Sequence, residues 1–145
     1  MKVSLPNGAQ ANGDAVAQIL KTYKTIAVVG LSANPERPSY GVTEYMQKAG
    51  YRIIPVNPSE REVLGEKSYG RLEDVPEKIE IVDIFRRAED VPPVVDSAIR
   101  VGAKVIWMQL GIENSAAAEQ ARAAGLVVVE DACIFVEHRK MLRTG

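Results

Sequence analysis

The sequence predicts a doubly wound α/β domain, because short apolar runs alternate with helical segments and most runs end in Gly or polar residues. The runs are nearly continuous in Val, Ile and Leu instead of alternating with polar residues. That pattern belongs to strands buried on both faces, as in a parallel sheet covered by helices. A chain of 145 residues is the size of one domain.

Residues 1–12 are rich in Gly, Ala and Asn and read as a loose N-terminal arm, leaving 13–145 as the folded domain. Val16, Ile19, Leu20 and Tyr23 then fall on one helical face, with Asp14 as the expected N-cap. Residues 25–30 (TIAVVG) form the first strand of the alternating unit. A helix opens near Pro38 and Ser39 and stops at Gly50, with Val42, Met46 and Ala49 on one face. Residues 51–56 (YRIIPV) and 79–85 (IEIVDIF) are the next strong strands. Between them, residues 57–78 lack a clear period; a short edge strand near 66–69 and a helical turn near 72–75 are expected there.

Val91, Val94, Val95, Ala98 and Ile99 mark a helix capped by Asp90, with Pro92 and Pro93 in its first turn and Gly102 at its end. Residues 104–110 and 126–130 are strands joined by an Ala-rich helix over 114–124, and a last helix covers 134–142. Right-handed crossovers then give a Rossmann-like strand order 3-2-1-4-5, with 126–130 as an outer strand.

Composition narrows the function. Hydrophobic residues make up 46% and charged residues 26%, and the net charge is −1. No basic patch for nucleic acid or membrane follows from that balance. The single cysteine, Cys133, permits no internal disulfide, which fits a reducing compartment, and no apolar run approaches a membrane span. A cytoplasmic protein is expected.

In such a sheet, ligands bind beyond the carboxyl ends of the strands. The residues after the first strand, 30–39 (GLSANPERPS), suit an anion. Gly30 permits a sharp turn, Arg37 offers a planar fork, Ser32 and Ser39 offer hydroxyls, and a helix N-terminus follows. A surface loop with a solvated Arg and a capping Ser fits the same residues equally well. Neither the G-x-G-x-x-G fingerprint nor the P-loop pattern is present. The second strand ends in Asn57 and Pro58, where an NAD site would carry an acidic residue, so NAD is disfavoured. Phe85, Arg86, Gly111 and Cys133 fall on the same rim. Trp107 reads as core. Cys133 reads as a small packing residue, with a reactive thiol at a helix N-terminus as the alternative. His138, between Glu137 and Arg139, reads as solvated.

No His, Cys and carboxylate set has metal-ligand spacing, and no Ser or Cys has a nearby His to act as base. No catalytic residue and no metal is expected.

The ordered set Val29-Gly30-Leu31-Ser32 with Pro35, Arg37 and Ser39, Pro55-Val56-Asn57-Pro58, Gly65 with Tyr69, Asp83 with Phe85-Arg86, Gly102-Ala103-Lys104, Trp107-Met108-Gln109-Leu110-Gly111 and Asp131-Ala132-Cys133 carries a resemblance. The chain resembles the small stand-alone CoA-binding proteins of bacteria and archaea, the YccU-like group. Their domain is similar to the N-terminal CoA-binding domain of the succinyl-CoA synthetase α subunit. The resemblance implies coenzyme A or an acyl-CoA across the strand ends, held by Gly30, Ser32, Arg37, Ser39, Val56, Asn57, Pro58, Phe85 and Gly111. The synthetase's Gly- and Thr-rich phosphate loop is replaced here by Asn34-Pro35-Glu36-Arg37, and its second, His-bearing domain has no counterpart. The resemblance thus implies a binding module: a carrier, a sensor, or a subunit that works as a homodimer or with another protein. An NAD(P)-binding oxidoreductase module and an interaction protein with a vestigial nucleotide site are the alternatives.

Overall fold

A computed structural model describes residues 1–144. The first strand of the alternating unit, β3 (Thr25–Val29), is central in a seven-stranded sheet. On one side it pairs in parallel with β4 (Arg52–Val56); on the other it pairs with β7 (Ile81–Ile84), which is followed outward by β8 (Val105–Met108) and β9 (Val127–Glu130). These five strands follow the predicted order except that its third strand, at 66–69, is not part of this sheet, and the switch point lies between β3 and β7. Pro55, which has no N–H, is tolerated because β4 is an edge strand of this sheet. The expected further strand at 66–69 splits in two. Glu62–Val63 (β5) and Glu66–Lys67 (β6) form a small hairpin of their own, and Tyr69 alone bridges in parallel to Val56.

Residues 1–12 are not a loose arm. Lys2–Ser4 (β1) pairs antiparallel with β9, and Gln10–Ala11 (β2) pairs with β1. Val3 and Ser4 are buried, and Arg122 Nη1 donates to Ser4 Oγ at 2.9 Å. The hairpin covers the edge that β9 would otherwise expose, a common device for protecting sheet edges.

Two helical layers cover the sheet. On one face lie α1 (Gly13–Thr22), α2 (Pro38–Lys48) and α5 (Ile134–Thr144). On the other lie α3 (Val91–Arg100) and α4 (Ser115–Ala123). Period 2 divides the strand residues between the layers: Val82 and Ile84 face α3 and α4, whereas Ile81 faces the opposite layer. Trp107 is fully buried, and its indole N–H donates to Ala132 O at 2.9 Å.

The caps differ from expectation at two helices. Asn12, one residue before α1 begins, accepts from the Asp14 N–H, so Asp14 is inside the first turn and not the cap. Asp90 precedes α3 but makes no side-chain cap and pairs instead with Arg87. Asn114 caps α4 through the Ala117 N–H. Among the described residues, no helix is long and apolar enough to cross a membrane.

Candidate functional site

The carboxyl ends of β3, β4, β7 and β8, with the turn before α5, enclose a cleft of about 820 Å³. Its construction begins at Gly30. The Gly30 φ is +87°, and a Cβ there would come within 2.3 Å of Phe85 O and 3.3 Å of Arg86 Nε. Only glycine lets the ends of β3 and β7 approach this closely. The Gly30 N–H donates to Val56 O, and the Phe85 N–H donates to Val29 O, so this turn is fixed from both sides.

The loop that follows is held by its own side chains. Ser39 Oγ accepts from the Ser32 N–H, Ser32 Oγ from the Asn34 N–H, and Asn34 Oδ1 from the Glu36 N–H, each at 3.0 Å. Both hydroxyls keep a proton to donate. Arg37 precedes the first turn of α2, which has no side-chain cap and therefore keeps N–H groups for an anion. Arg37 and Arg86 both line the cleft, and neither takes part in an ion pair among the described residues. Arg87 also lines it, but pairs with Glu89 and Asp90.

Asn57 has a bracing role. Its amide donates to Leu31 O at 3.0 Å and accepts from the Ser59 N–H at 3.0 Å, tying the end of β4 to the end of β3. Gly30, Ser32, Arg37, Ser39, Asn57 and Phe85 thus share one cleft. Val56 and Pro58 line a separate hollow of about 250 Å³ on the α3 side, together with Arg71, Leu72 and Val94. Arg86 lines both. Gly111 lines neither. Its N–H donates to Asp131 Oδ1 at 2.7 Å and its φ is +83°, so it sets the turn from which Leu110 and Ile112 reach the cleft.

One feature, Glu60, escaped the sequence, and two residues that the sequence did single out, Cys133 and Asp83, gain definition from the structure. Glu60 enters the cleft and accepts the Ala33 N–H at 2.6 Å. Cys133 lines the cleft and is partly exposed, so it is not simply core packing. Asp83 is buried on β7, where burial pushes its carboxyl up to about 7 against the opposing hydrogen bond from Gln109.

His138 corrects the expectation of a solvated residue. It is buried, its Nδ1 lies 2.8 Å from Tyr45 Oη, and the Tyr51 ring meets it edge-on. The helical face it occupies packs against α1 and α2, which the flanking charges concealed. It lines neither hollow. Among the described residues, no group of His, Cys, Asp and Glu is arranged to hold a metal.

A family model described as "CoA binding domain" matches residues 24–139. The chain belongs to the CoA binding domain family. The matched span runs from just before β3 into α5 and includes every residue of the cleft. Uncharacterized protein YneT of Bacillus subtilis is 43% identical over 123 residues, covering 85% of this chain and 91% of that protein. The solved structure of a hypothetical protein from Pyrococcus horikoshii OT3 superposes with a TM-score of 0.89 at 41% identity, over 91% of this chain and 93% of that one. Acetate–CoA ligase [ADP-forming] II of Archaeoglobus fulgidus is 29% identical over 83 residues, covering 56% of this chain but only 12% of the ligase. The chain thus matches one relative over nearly all of that protein's length and another over only a small part of it.

Proposed function

We propose that this protein binds coenzyme A or an acyl-CoA as a cytoplasmic carrier, sensor or partner subunit, without chemistry of its own. The observation that carries the reading is the cleft itself: two arginines without ion-pair partners among the described residues, beside a glycine turn and a helix N-terminus with no side-chain cap, within a CoA binding domain. CoA needs such cations for its diphosphate and 3′-phosphate. It also needs a long, partly apolar channel for its pantetheine arm, and the cleft volume is of ordinary size for a ligand site.

In this reading the diphosphate meets residues 30–39, with Arg37 and Arg86 as counter-charges. The adenine turns toward Val56 and Pro58, where the second hollow offers apolar walls and Arg71. Asn57 braces that corner and Gly111 aims its neighbours. The pantetheine arm passes Phe85, Gln109, Leu110 and Ile112 toward Cys133. An NAD reading lacks an acidic group at the end of β4, where Asn57 stands instead with both ends of its amide bonded to backbone.

The test is calorimetric titration of the purified protein with CoA. One saturable event supports the reading. No heat and no saturation, with NAD binding instead, would turn it over to the alternative.

A further inference from the structure

Asp83 and Gln109 form a pair that the diphosphate and adenine contacts leave unused. The Gln109 amide nitrogen donates to Asp83 Oδ1 at 2.6 Å. Both residues are almost completely buried, at 2% and 4% exposure, yet Gln109 lines the cleft floor. Strand register explains the meeting. Asp83 pairs with Trp107 across β7 and β8, and Gln109 follows Trp107 by two residues, so all three point to the same face. The other end of the Gln109 amide takes no hydrogen bond among the described residues and is not sealed from solvent.

An amide group has a donor end and an acceptor end. A carboxylate can only accept, so it holds the amide nitrogen and leaves the oxygen for the cleft. A protonated carboxyl gains a donor, which lets it hold the amide oxygen and leave the nitrogen for the cleft. We propose that Asp83 is a positioning residue that selects which end of the Gln109 amide meets an amide of the ligand's pantetheine arm. This rests on the CoA reading above and assigns the arm's polar contact on the cleft floor.

The carboxyl is poised to act this way because no charge holds it in one state. Burial raises it and Gln109 opposes. The titratable and charged groups on the elements covering this face are Asp14 and Lys21 of α1 with Tyr23 and Lys24 after it, Tyr40, Glu44, Tyr45 and Lys48 of α2 with Tyr51 after it, Cys133, and Glu137, His138, Arg139, Lys140 and Arg143 of α5. None of them figures among the influences on Asp83. Asp83 therefore changes state near neutral pH, within the range in which binding is measured.

The experiment compares two probes by calorimetry between pH 5.5 and 8.5: CoA, and adenosine 3′-phosphate 5′-diphosphate, which keeps both phosphates of the diphosphate and lacks the pantetheine arm. The terminal phosphate of the shorter probe titrates in this range, so each variant's affinity ratio is compared with that of the unmodified protein at the same pH. Gln109→Met should lower the ratio about three- to tenfold, the range for one lost hydrogen bond, with binding of the shorter probe unchanged. The unmodified protein should show a severalfold change in the ratio across pH 7 that Gln109→Met and Asp83→Asn do not show. Equal losses for both probes in Gln109→Met, or the same pH dependence of the ratio in Gln109→Met and the unmodified protein, would overturn the proposal, and neither result depends on an Asp83 variant folding. Failure of the unmodified protein to bind either probe would instead overturn the CoA reading, and this proposal with it.

Discussion

The Ala33 N–H donates to the Glu60 carboxylate at 2.6 Å, which places an acidic group against the loop proposed to meet phosphate. A carboxylate in that place competes with an incoming anion for the same backbone donor and repels it. Glu60→Gln keeps a hydrogen-bond acceptor and removes the charge. It should tighten CoA binding by roughly 1 kcal/mol, or about fivefold, and the gain should shrink at high salt. Weaker binding in calorimetry would show that Glu60 holds the loop in its binding shape instead.

Arg37 is exposed and makes no ion pair among the described residues, so Arg37→Ala should leave apo stability nearly unchanged. Loss of one charge-assisted hydrogen bond costs about 1.5–3 kcal/mol, so CoA affinity should fall about tenfold or more. Unchanged affinity would remove Arg37 from the site.

His138 gives the fold an acid sensitivity. Burial, reinforced by Lys24, depresses its imidazole below the ordinary 6.5. The unfolded chain therefore takes up a proton first, and the stability that His138 contributes above pH 6.5 is lost as pH falls below it. Asp83 acts in the opposite sense: raised from 3.8 to about 7, it favours the folded state at low pH and loses that contribution as pH rises through 7. Comparing variants separates the two. The stability deficit of His138→Gln in urea should be larger at pH 7.5 than at pH 5.5. An equal deficit at both would mean that the imidazole is not held neutral.

Cys133 sits on the cleft at the start of α5. Its thiolate can attack the disulfide of oxidised CoA, forming a Cys133–CoA disulfide and releasing CoA thiolate. Intact mass spectrometry should show one CoA adduct that is absent in Cys133→Ser. A native protein that stays unmodified, yet is labelled once unfolded, would mean the thiol is out of the ligand's reach.

Much of the fold was legible because burial on both faces forces the strands into unbroken apolar runs such as 25–29 and 105–108. The N-terminal hairpin was not, since β1 and β2 are too short to show a period and owe their pairing to the distant β9. The site was legible where backbone geometry demands a residue type, as at Gly30. It was not legible where contacts come from far along the chain: Glu60 reaches Ala33, Gln109 reaches Asp83, and Tyr45 reaches His138. Gly111 stands apart from the other residues of the set, since it lines neither hollow. Its backbone conformation is special, but the side chains reaching the cleft belong to its neighbours.

The most direct test of the central claim is the melting temperature of the purified protein with CoA, acetyl-CoA, NAD and NADP in turn. A ligand at 100 times its dissociation constant adds about 2.7 kcal/mol. For a domain of this size that corresponds to a rise of several degrees. The account predicts that rise with CoA or acetyl-CoA and none with NAD or NADP. Stabilisation by NAD or NADP alone would contradict it.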